Sequence, residues 1–201
     1  MNSSNFPTDP QSWLVADASV AINLNATGRA AQILRALPSP LVVTVNAFDE
    51  LKSGLYKGYR DAEHLQTLID EGLVRLMRLG DGSMPIYESL IEGSDTLDDG
   101  EAATIAFAVE VSGAAIIDER KGRRICAERF SGLGVVSTAE VLMHDAVIAA
   151  LGREDQIEAI VAALTQGRMH VPREQLGKIV DVLGVRAEHC LSLPKAVRIA
   201  S

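Results

Sequence analysis

The sequence predicts an α/β protein with a mostly parallel central sheet flanked by helices and a helical C-terminal extension. Two observations carry that prediction. Short apolar runs rich in Val, Leu and Ile alternate with stretches of helical spacing as far as residue 151, and such alternation marks parallel strands joined by crossover helices that cover both faces of a sheet. From residue 154 onward two helical patterns follow with no further strand of weight. A chain of 201 residues, 47% of them hydrophobic, can bury one sizeable core, which fits one domain at 13–151 and an appendage at 152–201.

The elements follow in order. "WLVAD" (13–17) is a short apolar strand ending on an acid, and "INLNATGRAAQILRALP" continues with helical spacing until Pro38 and Pro40 stop it. "LVVTV" (41–45) is a second β-branched run, and Asn46 is the expected N-cap of a helix "AFDELKSG" that closes on Gly54. Residues 58–72 read as an amphipathic helix, "LVRLM" (73–77) as a strand and 83–92 as a short helix. "DDGEAATIAFAVEVSG" (98–113) is a nearly all-apolar helix opened by acids and closed by Gly113, and "AAIID" (114–118) is the next buried strand. A polar helix over 121–130, a "GVVS" strand and a helix over 138–151 complete the domain. "GRMHVP" separates the two C-terminal helical patterns, and the tail "LSLPKAVRIAS" is expected to be loosely held.

Composition excludes several functions. A net charge of -8 argues against a chain that coats nucleic acid with its whole surface, so any such contact must be local. Cys126 and Cys190 stand far apart with no metal-ligand spacing, which suggests neither a disulfide framework nor zinc and fits a reducing, cytoplasmic setting. The opening "MNSSNFPTDPQSW" has no export signature, and no apolar run approaches the roughly 18 residues that span a bilayer. His64, His144, His170 and His189 share no catalytic spacing, "GLG" at 132–134 is too short for a dinucleotide fingerprint, and no phosphate loop of the Walker type occurs.

The acids are the informative residues. In open parallel sheets the ligand crevice lies outside the carboxyl ends of the strands, and Asp17 and Asp118 fall at two such ends. Glu50 sits in the first turns of the helix after the second strand, and Glu101 in the first turn of the apolar helix. If the four meet, they repel one another unless a cation shares them, and hard oxygen ligands select Mg²⁺ or Mn²⁺. Two such ions would activate a water and stabilise the leaving oxygen of a phosphodiester. Each acid also has a bland reading. Asp98 and Glu101 have the spacing of a capping box, Asp17 could cap a helix near Val20, Asp118 one near Lys121, and Glu50 could simply favour a helix N-terminus.

"LVADASVAINL", "VTVNAFDEL", "LDDGEAATIAFA" and "AAIIDERKGRRICAERF", in that order and spacing, resemble the PIN-domain ribonucleases, in particular a toxin-like, VapC-like branch with a "GEA" helix and an "IDERKGRR" turn. The resemblance covers residues 13–151, and the "RMHVP" segment looks like that branch's C-terminal helical extension. It implies a PIN-like fold and a Mg²⁺- or Mn²⁺-dependent endoribonuclease, with Asp17, Glu50, Glu101 and Asp118 at the family's acidic, metal-binding positions. Ser19 matches a small hydroxyl residue that supports the site. Many members carry Asp where Glu101 stands, so a longer side chain must reach the metal here, and Glu119 is a substitute or supporting ligand. The same resemblance implies a toxin paired with a small antitoxin protein, and a homodimer. The alternative is a PIN-like module that binds RNA or protein without cutting. An aspartate-nucleophile phosphatase is disfavoured because "DASVA" lacks the second acid such enzymes use.

The run Arg120, Lys121, Arg123 and Arg124 reads alone as a solvated helix face, and its position directly after Asp118 makes it equally the expected contact for RNA phosphates. Lys52, Lys57 and Arg60 would extend that patch.

Overall fold

The computed structural model describes residues 6–7, 12–55, 58–93 and 95–198. Five parallel strands form one sheet in the order β3-β2-β1-β4-β5, where β1 is Leu14–Ala16, β2 Leu41–Thr44, β3 Val74–Met77, β4 Ala114–Ile116 and β5 Gly134–Val136. This is the predicted α/β class. Both faces of the sheet are covered, so alternate residues of one strand feed different cores. Leu14, Ala16, Val43 and Ile116 enter one core, and Val15, Val42, Ala115 and Ile117 the other.

The larger core is closed by α1 (Ala18–Ala26), α2 (Ala30–Ala36), α3 (Val45–Leu55), α4 (Asp61–Asp70), α8 (Thr138–Leu142), α9 (Asp145–Leu151), α10 (Arg153–Thr165) and α11 (Leu176–Leu183). The smaller one lies under α5 (Met84–Ile91), α6 (Asp99–Glu110) and α7 (Arg120–Arg129). α6 touches β1, β2 and β4 on one side and α3 and α5 on others. That is why it is buried from Gly100 to Ala108 and apolar almost all round.

Four local expectations are corrected. The long helix expected after β1 is two helices, α1 and α2, split at Thr27 and Gly28. The Thr27 hydroxyl donates to the Leu24 carbonyl at 2.6 Å and accepts the Arg29 N–H at 3.0 Å, and Gly28 takes a left-handed φ of 64°. A threonine and a glycine together thus stop one helix and start the next. Asn46 is not the cap of α3. The helix starts at Val45, the Thr44 hydroxyl accepts the Ala47 N–H at 3.3 Å, and the helix runs through Gly54 to Leu55. The helix expected over 138–151 is broken into α8 and α9 by His144, whose ring nitrogen accepts the Ala146 N–H at 3.2 Å. The segment expected to be loose packs against the larger core at Leu193 and again at Val197. Cys190 and Leu193 are buried, and the Ser192 hydroxyl donates to the Leu164 carbonyl at 2.8 Å. A short helix α12 (Lys195–Arg198) follows.

Candidate active site

β2 and β3 extend the sheet to one side of β1, while β4 and β5 extend it to the other. The point where chain order reverses, between β1 and β4, is where such sheets open a crevice at their carboxyl ends. Ala16 pairs with Ile116 there. Asp17 follows β1 directly, and Asp118 lies two residues beyond β4.

Asp17 is a cap as well as a member of the cluster. It is the N-cap of α1, accepting the Val20 N–H at 2.9 Å, and its two oxygens accept the Ser19 hydroxyl at 2.9 and 3.1 Å. Only 5% of the residue is exposed. Burial pushes its pKa up to about 7, Asp118 and Asp98 push the same way, and the bonds from Val20 and Ser19 oppose them. Asp118 does not cap α7, whose N-cap residue is Glu119. Its oxygens instead accept the Thr138 N–H at 2.7 Å and the Asn23 side-chain amide at 3.0 Å. Burial again raises its pKa, opposed by the Thr138 bonds and by the nearby His170 and Arg123.

Glu101 is built differently. Asp98 caps α6 by accepting the Glu101 N–H at 2.8 Å, but the return bond of a capping box is not made, and Glu101 Oε1 is buried with no hydrogen-bond partner. Capping therefore leaves this carboxylate unexplained. Burial pushes Glu101 up to about 8, and Asp17, Asp98 and Glu119 add to the shift. Two glycines make room for the helix-borne acids. A Cβ on Gly122 of α7 would lie 2.1 Å from Glu101 Oε1, and one on Gly100 would lie 2.3 Å from Glu50 Oε2. Glu50 sits mid-way along α3. Burial, then Asp98 and Asp99, push it up to about 7.

The four acids are thus linked through neighbours rather than gathered at one point. Asp17 feels Asp118, Glu101 feels Asp17, and Glu50 joins through Asp98, whose charge acts on Asp17, Glu50 and Glu101 alike. Among the described residues no three His, Cys, Asp or Glu side chains stand close enough to hold an ion. The donor chemistry nonetheless fits a hard divalent cation, since the unsatisfied atom is a buried carboxylate oxygen amid other carboxylates. Asn23, Asp98 and His170 were missed by sequence reasoning. The signal for Asn23 was a polar residue at a buried position of an otherwise apolar helix.

Most of the basic run has internal partners. Arg123 bonds the Ile117 carbonyl at 3.0 Å and pairs with Glu174 at 2.7 Å. Arg124 pairs with Asp95 at 2.6 Å and Glu128 at 3.0 Å, and Lys121 bonds the Thr96 carbonyl and approaches Asp95 at 3.5 Å. Arg120 is exposed and has no partner among the described residues. Lys52 and Arg60 do not extend the run as free charges, because they pair with Asp49 and Glu63 nearby in sequence. Lys57 lies outside the described residues. Cys126 is fully buried, and that burial pushes its thiol up to about 12.

Residues 13–184 match the model of the family DUF3368, described as a PIN domain. The chain belongs to the PIN-domain family. PIN domains are usually nucleases, and the fold of this one, a parallel sheet with acids at its switch point, is the predicted PIN-like fold. No curated protein and no solved structure gives a significant match. Among the described residues of this PIN domain, no helix is long and apolar enough to cross a membrane.

Proposed function

We propose that this PIN domain is a Mg²⁺- or Mn²⁺-dependent endoribonuclease, with Asp17, Glu50, Glu101 and Asp118 holding the cation. The observation that carries the reading is Glu101: an acid at 4% exposure with an orphaned oxygen, beside Asp17 at the switch point of the sheet. A buried carboxylate without a partner is costly unless something binds it. When bound, a hard divalent cation supplies charge neutralisation and makes water a better nucleophile at neutral pH.

The chain's own residues divide the remaining work. Val20, Ser19, Asn23 and Thr138 fix the oxygens of Asp17 and Asp118, so these two carboxylates are oriented before any ligand arrives. Glu101 and Glu50 carry no side-chain hydrogen bond among the described residues and are free to adjust. Glu119, exposed at the start of α7, adds negative charge beside Glu101. Arg120 offers a guanidinium with no partner among the described residues, whereas Lys121, Arg123 and Arg124 must share or exchange partners to reach a phosphate.

The decisive assay is cleavage of labelled RNA with Mn²⁺ and with excess chelator. Cleavage that persists undiminished in chelator defeats the proposal. The toxin role, with a small antitoxin protein, a homodimer and a cytoplasmic site of action, forms part of the same reading and is supported by the resemblance of the "IDERKGRR" turn. Inhibition of cleavage by the product of a neighbouring reading frame is its test. A second reading, a module that binds without cutting, is favoured by the spread of the acids, no three of which stand together among the described residues. RNA binding without any Mn²⁺ binding would select it.

A further inference from the structure

Two cavities meet at Asp118. The larger, of about 1070 Å³, runs between α7 and the segment after α10, and the smaller, of about 90 Å³, opens beside Ser19 and Asn23. Asp118 and His170 line both. Arg168 and Glu119 line the smaller one, and Arg120 and Arg173 the larger. Arg120, Arg168 and Arg173 are exposed, and their side chains have no ion-pair or hydrogen-bond partner among the described residues. In a chain of net charge -8, three unpaired arginines around a buried acid call for an anion.

The segment that carries Arg168 and His170 is fastened to the site itself. Gly167 packs so closely on α1 that a Cβ there would lie 2.7 Å from Asn23 Oδ1, 2.8 Å from the Ala163 carbonyl and 3.1 Å from Asn23 Cα. The same Asn23 donates to Asp118. Met169 between the two polar residues is fully buried, and its N–H donates to the Ala163 carbonyl at 2.9 Å. Arg168 is held at a left-handed φ of 59°, an unusual conformation for an arginine. The left-handed Arg168 and the bond from the Met169 N–H are the Schellman close of α10, and that close sets Arg168 and His170 beside Ser19 and Asn23 of α1.

We propose that Arg168 and His170, delivered by the Gly167–His170 turn, form the phosphate-binding lip of the site and position the RNA backbone over Asp118, with Arg120 and Arg173 continuing the contact along the larger groove. The proposal rests on the ribonuclease reading above. His170 acts in it as a ring N–H donor and Arg168 as a forked cation, the two kinds of group suited to a phosphodiester oxygen. Both are positioning residues.

The test measures binding of a fluorescein-labelled single-stranded RNA by anisotropy in chelator, where cleavage is off, and cleavage with Mn²⁺ separately. Arg168→Asn removes the charge with a residue that tolerates the left-handed backbone, and His170→Ala removes the donor. The double variant should bind about tenfold more weakly and lower the slope of log affinity against log salt by roughly 0.7, the value for one lost contact to a single strand. Arg168→Lys should restore the slope, and thermal midpoints should stay at the wild-type value. Unchanged affinity and slope in the double variant, with wild type still cutting RNA in Mn²⁺, overturn the lip and leave the ribonuclease reading intact. A wild-type protein that neither binds nor cuts RNA overturns both. A double variant that melts well below wild type, with Arg168→Lys failing to restore the slope, also overturns the lip, because the turn would then be structural only.

Discussion

Asp17 and Asp118, carried at strand ends, have their oxygens taken up by Val20, Ser19, Asn23 and Thr138, whereas Glu50 and Glu101, carried on helices, reach into space kept open by Gly100 and Gly122. Both pairs are acidic and raised in pKa by burial first of all, yet one pair is fastened and the other is not. The difference teaches that burial alone does not define a site. A fastened buried acid is compatible with a purely structural role, since its hydrogen bonds offset its desolvation. An unfastened one is a standing cost once ionised, relieved only by a proton or a bound cation.

The sharpest way to break the comparison is to neutralise one acid from each pair. Asp17→Asn and Glu101→Gln should each lower Mn²⁺-dependent RNA cleavage by about a hundredfold or more, since loss of even a supporting group at a metal site costs about 10–100-fold. Their stabilities should separate. In chelator at pH 9, Glu101→Gln should melt a few degrees above wild type, because a buried charge without a partner is gone. Asp17→Asn should gain less, as it gives up a carboxylate that Ser19 and Val20 bind. Mn²⁺ at a hundredfold excess over its dissociation constant should stabilise wild type by roughly 2.7 kcal/mol and both variants far less. Equal Mn²⁺ responses in all three proteins would remove the shared site.

Next in size is the fastening itself. Asn23→Ala deletes the amide that donates to Asp118, a residue only 2% exposed, and leaves a buried carboxylate oxygen unpaired. The expected cost is about 1–3 kcal/mol in urea denaturation. A loss below about 0.5 kcal/mol, the usual size of a surface substitution, would show that Asp118 is as free as Glu101.

The pH dependence of stability follows with a definite sign. Asp17 and Glu50 are raised to about 7 and Glu101 to about 8, so the folded chain holds protons that the unfolded chain releases near the ordinary carboxylate values of about 4. Their contribution to stability is fully present below about 4 and is lost as pH rises through about 7 to 8. Asp95, lowered first by its hydrogen bond from Arg124, and Glu174, lowered against burial by its own backbone N–H and then by Arg123, act in the opposite sense, but their transition lies below the ordinary carboxylate range. Thermal midpoints in chelator should therefore fall between pH 5 and pH 9, and Mn²⁺ should help most at the upper end. A midpoint that climbs across that interval contradicts the raised values.

Much of this arrangement was legible in the sequence, for reasons visible in particular residues. Strand ends are legible because a short apolar run followed by an acid, "LVAD" or "AIID", leaves the acid at the rim of a parallel sheet whatever the rest of the chain does. Helix breaks were harder. Thr27 and His144 end or begin helices through bonds of their own side chains to the main chain, and those two residue types carry weaker start and stop signals than Gly or Pro. The site residues Asn23 and His170 were hidden because each owes its place to packing between distant segments. Asn23 meets Asp118 across 95 positions, a separation at which no local pattern operates. Asp98 was seen only as a cap, and it is one. That it also acts on Asp17, Glu50 and Glu101 follows from where α6 lands on the sheet.

The smallest expected change concerns the glycine that leaves Glu101 its space, and it sharpens the comparison because it alters no acid. Gly122 lies inside α7 with no left-handed backbone requirement, so Gly122→Ala should favour the helix by up to about 1 kcal/mol. The new Cβ would stand 2.1 Å from Glu101 Oε1, 2.6 Å from its Cδ and 3.0 Å from Ile117 Cγ2. The end of a flexible side chain can give way there, so Glu101 must swing aside while the fold stays close to wild-type stability. Cleavage should drop about tenfold, the lower end of what a displaced supporting group costs at a metal site. Gly113→Ala is the counter-case, because its Cβ would meet the Trp13 carbonyl at 2.6 Å, and backbone cannot move aside cheaply. It should lose stability at unchanged activity per folded molecule. If Gly122→Ala cuts RNA at the wild-type rate, the position Glu101 occupies does not matter to the chemistry, and the helix-borne acid is reduced to an unexplained buried charge.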